Sequence, residues 1–204
     1  MLQKKKGRKR IERRADMENR FYEMNIVGCI RKLPIFRISD QMSIASFVLL
    51  GDAELVVNAA AKLVEKIPEV DYLITAEAKG IPLVQEMARL LNMKRYFVAR
   101  KSVKPYMQDP FVTEVYSITT QKKQILCLDR EESEMIRGKK ILIVDDVIST
   151  GESLNALEEL VHAVGGKVVG KMAVLAEGDA MDRGDIQVLA PLPLFHADGT
   201  IKES

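Results

Sequence analysis

The sequence predicts an α/β protein: a parallel sheet flanked by helices, with a hairpin inserted into it. Three observations predict that class. Short apolar runs at 70–75, 96–99, 141–144, 168–175 and 186–189 alternate with helical stretches bounded by Gly, Pro or Asp, the spacing of repeated strand–helix units. The run Ile141-Leu142-Ile143-Val144 has no polar position, as a strand buried on both faces of a parallel sheet requires. Residues 111–128 interrupt the alternation with β-branched side chains around a polar centre at 117–123, the pattern of a long hairpin and a candidate flexible lid.

Taken in order, the chain opens with a basic tail at 1–14, outside a single domain spanning 15–204 whose residues 15–50 and carboxyl terminus make a small hood. From 11 to 29, Met17, Phe21, Met24 and Val27 recur at three- and four-residue spacings, which predicts a helix with one apolar stripe. Pro34 then rules out a continuing helix, and 33–40 reads as an edge strand or extended arm. After an apolar 43–50, Gly51 breaks the chain, Asp52 is placed to cap, and 53–66 forms an amphipathic helix stopped by Pro68. A strand at 70–75, a loop at 76–80 and a helix at 82–91, with Pro82 in its first turn, make the next unit. The strand at 96–99 runs into a basic loop, Arg100-Lys101-Ser102-Val103-Lys104-Pro105. Gly138 breaks the chain before the central strand, and Gly165-Gly166 ends the helix at 152–164.

With 204 residues and 47% hydrophobic content the chain can bury one substantial core. No apolar run approaches the length of a membrane span, and Met1 leads into lysines and arginines rather than a signal peptide's apolar stretch. Cys29 and Cys127 are too few for a disulfide scaffold and lack metal-ligand spacing, so a soluble protein in the reducing cytoplasm is expected. The tail carries eight Lys or Arg against one Glu, so an overall +2 leaves the body mildly acidic. Nucleic-acid contact by that tail is weighed against a solvated extension; it has no aromatic side chain to stack on bases, and the solvated reading is preferred.

The chemistry concentrates at 141–153. Asp145 and Asp146 stand at the carboxyl end of the apolar strand, and Ser149-Thr150-Gly151-Glu152-Ser153 leads into an amphipathic helix. In open α/β sheets ligands bind beyond the carboxyl ends of strands, and the first amides of a helix with small residues before them wrap a phosphate. The pattern therefore calls for a phosphate with hydroxyls beside it. A Walker-type loop is excluded because its Gly-to-Lys spacing is absent, and a dinucleotide fingerprint because Gly151 is the one glycine there.

Strand, two acids, two apolar residues, Ser149, Thr150-Gly151 and a small closing residue: this stretch resembles the 5-phosphoribosyl-1-pyrophosphate (PRPP) motif of type I phosphoribosyltransferases at every position. From about residue 33 to 175 the chain looks like the adenine phosphoribosyltransferase branch. Leu33-Pro34-Ile35-Phe36-Arg37 resembles its base-recognising arm, with Val147 beside the base. Glu77-Ala78-Lys79-Gly80 resembles its pyrophosphate loop, and Arg100-Lys101 with Lys104 its pyrophosphate clamp. The resemblance implies that PRPP and a purine base, adenine favoured, give a nucleoside monophosphate and pyrophosphate in purine salvage, with Mg²⁺ required. Asp145 and Asp146 would take the ribose hydroxyls and meet the metal through water. Residues 149–153 would hold the 5-phosphate, and Lys79, Arg100, Lys101 and Lys104 the departing pyrophosphate. In the family the pair at Ala78-Lys79 is joined by a non-proline cis peptide. A homodimer is implied by resemblance alone.

Two departures stand out. The adenine branch carries a Glu in its lid, whereas the lid residues Ser117, Thr119, Thr120 and Gln121 include no carboxylate. That Thr-rich, Gln-containing tip is similar to the lid of xanthine phosphoribosyltransferases. The alternatives are therefore a xanthine or hypoxanthine enzyme, or a PRPP-sensing regulator with little turnover. No role follows from the sequence for His162 or His196.

Overall fold

The computed structural model describes residues 20–116 and 123–202. Two compact units emerge, one from residues up to 25, 30–47 and 193 onward, the other from 26–29 and 48–192. The smaller unit is built on an antiparallel sheet of β1 (Phe21–Ile26), β2 (Cys29–Arg37), β3 (Met42–Ala45) and β11 (Leu194–His196), in the order β1-β2-β3-β11. Leu194, Phe195 and His196 pair with Ile44, Ser43 and Met42, which gives the carboxyl-terminal segment its place.

Two expectations are corrected here. The helix expected at 11–29 is, in its described part, a strand followed by a tight turn. Val27 and Gly28 both take positive φ, 46° and 88°, reversing the chain as a two-residue hairpin turn does. Met24 and Ile26 are buried two residues apart while Phe21 is 55% exposed, a period of two rather than 3.6. The arm at 33–40 is a strand but not an edge, since β2 lies between β1 and β3. Pro34 stays in the ladder through its carbonyl, which accepts from Ser46 N–H at 2.8 Å.

The larger unit follows the expected alternation. Helix α1 (Ala53–Val64) is capped by Asp52, whose carboxylate accepts from Leu55 N–H at 3.1 Å. Then come β4 (Tyr72–Ala76), α2 (Ile81–Leu90) with Pro82 in its first turn, and β5 (Phe97–Ala99). β6 (Phe111–Tyr116) and β7 (Lys123–Leu128) pair antiparallel from Phe111 with Leu128 to Tyr116 with Lys123. The expected lid tip, 117–121, lies outside the described residues. Helix α3 (Arg130–Ile136) was not anticipated; its capping box has Asp129 accepting from the first turn and Glu132 accepting from Asp129 N–H at 3.0 Å. β8 (Lys140–Ile148), α4 (Glu152–Ala163), β9 (Lys167–Glu177) and β10 (Gln187–Leu192) complete it.

The five-stranded sheet has the order β10-β9-β8-β4-β5, with every pairing parallel. Ile141, Leu142, Ile143 and Val144 are fully buried at its centre. Both α2 and α4 pack on β8, and Ile141 and Ile143 share a cluster with Leu157, Leu160 and Val161 of α4. Each such side chain contributes about 1.5–3 kcal/mol through burial, so the strand that carries the acid pair is also among the most firmly held.

Candidate functional site

The topology makes a crevice at one place. From β4 the chain winds outward to β5, and from β8 it winds the other way to β9 and β10, so the sheet's switch point falls between β4 and β8. Ligands of open parallel sheets bind at such a point, beyond the carboxyl ends of the strands. Pairing between β4 and β8 ends at Ile74 with Ile143, and the loop after β4 then faces Asp145. A β-carbon on Gly80 would overlap Thr75 Oγ1 and lie 3.2 Å from Asp145 Oδ1 and 3.3 Å from its Cα. Only a glycine lets the loop come this close.

The acids at this point are unusually placed. Asp146 is buried, its Oδ2 has no hydrogen-bond partner among the described residues, and Lys79 Nζ stands 3.4 Å from it. Burial, reinforced by the charge of Asp146, pushes the Asp145 carboxyl up to about 7; the Asp146 N–H, donating to Asp145 Oδ1 at 2.8 Å, opposes part of that rise. Glu177, at the end of β9, is also raised by burial, with Lys79 acting against the rise. Lys79 therefore lies within the field of three carboxyl groups. Two adjacent carboxylates in a poorly solvated place are costly alone and call for a cation or hydroxyls.

The second cluster lies on the loop after β4 and the loop after β5. Glu77 Oε1 is 3.8 Å from both Arg100 Nη1 and Lys104 Nζ, and Oε2 accepts from Lys101 N–H at 3.0 Å. Lys104 Nζ also donates to Ser102 Oγ at 2.7 Å. At 3.8 Å and partly exposed, the ion pairs contribute less than about 1 kcal/mol each, so an entering anion can take the cations over. Arg100 Nε is buried without a hydrogen-bond partner among the described residues. The Arg100 backbone exchanges two 2.9 Å bonds with Cys127 of β7, which fixes the cluster to the base of the hairpin.

The third part is the turn at 149–153. Gly151 takes φ 77° as the N-cap of α4 and provides no side-chain cap. Glu152 N–H reaches Thr150 Oγ1 only at 3.5 Å, while Ser149, Thr150 and Ser153 are exposed. Uncapped first-turn amides beside hydroxyls form a cradle for an anion. Arg183, which the sequence reading did not single out, packs against Gly151.

A family model described as phosphoribosyl transferase domain matches residues 50–188. The chain belongs to that family. It is 32% identical over 133 residues to an adenine phosphoribosyltransferase of Petrotoga mobilis, covering 63% of this chain and 72% of that relative. It is 32% identical over 110 residues to a xanthine phosphoribosyltransferase of Alkaliphilus metalliredigens, covering 54% of each. Among solved structures, an adenine phosphoribosyltransferase from Thermoanaerobacter pseudethanolicus superposes with a TM-score of 0.60 at 20% identity, over 87% of this chain and 99% of that one, a likeness of fold alone. The expectation of a type I phosphoribosyltransferase and of its fold agrees with these matches.

For this phosphoribosyltransferase the structure brings the acid pair, the 149–153 turn, the 77–80 loop and Arg100, Lys101 and Lys104 into one unit. Val147 is half-buried on β8. Ile35, Phe36 and Arg37 lie on β2 in the other unit, where the Arg37 guanidinium is engaged locally with Ser39 O at 2.9 Å and with the Asp40 carboxylate at 3.1 Å. The lid residues Ser117, Thr119, Thr120 and Gln121 lie outside the described residues. The non-proline cis peptide joins Glu77 to Ala78 rather than Ala78 to Lys79, one bond earlier than expected. Arg183 and Glu177 escaped the sequence reading because each is more than 20 residues from the motif it approaches, and only the fold brings them there.

Proposed function

We propose that this chain transfers the 5-phosphoribosyl group of PRPP to a purine base, releasing pyrophosphate and a nucleoside 5′-monophosphate in purine salvage. The observation that carries the reading is the buried Asp146 carboxylate at the sheet's switch point, whose Oδ2 has no hydrogen-bond partner among the described residues, with Lys79 on one side and the uncapped α4 turn following it. Asp145 and Asp146 accept from the ribose 2- and 3-hydroxyls, and Ser149, Thr150, Gly151, Glu152 and Ser153 surround the 5-phosphate with amides and hydroxyls. As the C1–oxygen bond breaks, its electron pair leaves on pyrophosphate, and Lys79, Arg100, Lys101 and Lys104, with the 77–80 backbone, meet the growing charge. The base nitrogen supplies the new bond to C1, and its proton leaves to water or a backbone group.

Mg²⁺ fits this donor set. No three His, Cys, Asp or Glu side chains among the described residues are arranged to hold a metal ion by themselves, but an ion that keeps several waters and takes substrate oxygens needs no such cage, and the orphaned Asp146 oxygen is suited to one of those waters. When bound it neutralises charge on the departing pyrophosphate. Ile35, Phe36, Arg37 and Val147 are assigned to the base, and 117–121 to closure over the site. Adenine is the first base to test. Xanthine comes next, favoured by the acid-free sequence of the lid tip at 117–121 and by the xanthine-named relative, with hypoxanthine after it. A cytoplasmic homodimer belongs to the same reading; no helix among the described residues is long and apolar enough to cross a membrane. Pyrophosphate release in the presence of PRPP, Mg²⁺ and each of adenine, xanthine, hypoxanthine and guanine tests it: one base should support release, and no release with any would overturn it.

A further inference from the structure

We propose that Arg183 is a further PRPP-binding residue, whose guanidinium donates to the 5-phosphate at the 149–153 turn. This rests on the reading that the turn holds that phosphate. The turn itself contains no cation, and Glu152 adds a negative charge to it, whereas a phosphate monoester brings about −1.5 to −2. A matching positive charge has to come from elsewhere in the fold. A β-carbon built on Gly151 would lie 2.5 Å from Arg183 Nη1 and 3.8 Å from Cζ, so the guanidinium occupies the place where a side chain at the N-cap would project.

The guanidinium is also fixed in orientation. Nε and Nη2 donate to the two oxygens of Asp185 at 2.9 and 2.7 Å, a two-pronged fork that leaves Nη1 directed to the turn. Asp185 accepts from Lys171 Nζ at 2.9 Å, and Lys171 pairs with Glu158 at 2.7 Å. Glu158 is on α4, the helix whose first turn forms the cradle, so the network runs from the middle of that helix back to its start. The Arg183 side chain keeps 27% of its surface exposed, which leaves room for a ligand oxygen. Asp185 thus orients the donor, and Arg183 supplies the charge.

Calorimetry with ribose 5-phosphate, PRPP and pyrophosphate as separate probes tests this on the full chain, with Arg183→Gln, Arg183→Lys and Asp185→Asn beside the wild type. Arg183→Gln should weaken ribose 5-phosphate and PRPP by about tenfold or more and leave pyrophosphate unchanged, the last showing that the site is still folded. Arg183→Lys, which keeps the charge without the fork, should fall between, as should Asp185→Asn. Unchanged ribose 5-phosphate affinity in Arg183→Gln, or an equal loss for pyrophosphate, would overturn the proposal while sparing the turn. A wild type that binds pyrophosphate but not ribose 5-phosphate would instead overturn the reading of the turn, and this proposal with it.

Discussion

Lys79 Nζ stands 3.4 Å from Asp146 Oδ2, and the aspartate side chain is only 5% exposed while the lysine's is 53% exposed. A buried carboxylate and a half-solvated ammonium thus meet across the crevice between β4 and β8. This is not a bond placed for stability, because the exposed partner is well screened and Oδ2 of the buried one has no hydrogen-bond partner among the described residues. Its geometry suits a site in which an entering ligand takes hold of both groups.

Stability of the ligand-free protein should depend on pH through Asp145. Its carboxyl rises from 3.8 to about 7, so the native state holds this proton more tightly than the unfolded chain. That contribution is complete at low pH and is lost as pH climbs through the interval between those values. Glu177 is shifted in the same direction by burial. Thermal unfolding should therefore come at a lower temperature at about pH 7.5 than at about pH 5.5, and Asp145→Asn should flatten the slope. Identical slopes in the variant and the wild type would show that the acid pair is not the cause.

Gly80→Ala should strike fold and site together. Its β-carbon would run into Thr75 Oγ1 and press on Asp145, which sits on a rigid interior strand. A loss of about 1–3 kcal/mol is expected, with weaker PRPP binding as Asp145 is displaced. Gly184, where a β-carbon meets nothing within 4 Å, is the control, and its alanine variant should change stability by less than about 0.5 kcal/mol. Equal melting temperatures for the two variants would contradict the close approach.

Replacing 117–121 with glycines should lower turnover by about a hundredfold or more while leaving PRPP affinity little changed. The described arms, β6 and β7, are tied through Cys127 to Arg100, so the base of the hairpin stands beside the basic loop that follows β5. An oxocarbenium-like sugar has to be kept from water, and closure serves that end. Rapid-mixing kinetics decide it: chemistry at full speed would reduce the hairpin to a structural flap, and abolished PRPP binding would place it in the ground-state site.

The central unit was legible because its signals are local. An unbroken apolar run, a Gly at the turn and a helical stripe specify β8, the turn and α4 without reference to anything distant. The hairpin at 21–37 was hidden by Val27, a β-branched residue at φ 46° where Asn or Gly would have announced the turn. Helix α3 carries a readable sign in the sequence, Asp129 three residues before Glu132, the two halves of its capping box. Glu177 and Arg183 had no such sign. They approach Lys79 and Gly151 only because β9 runs beside β8 and the chain after it folds back on the turn.

Asp145 and Asp146, with the turn after them, are proposed to form the PRPP site. Calorimetric titration of PRPP with Mg²⁺ into the wild type and into the Asp145→Asn, Asp146→Asn double variant tests it most directly. The double variant should lose PRPP binding and yet melt no lower than the wild type at neutral pH, since two crowded carboxylates have been neutralised. PRPP affinity unchanged in a folded double variant would contradict the account.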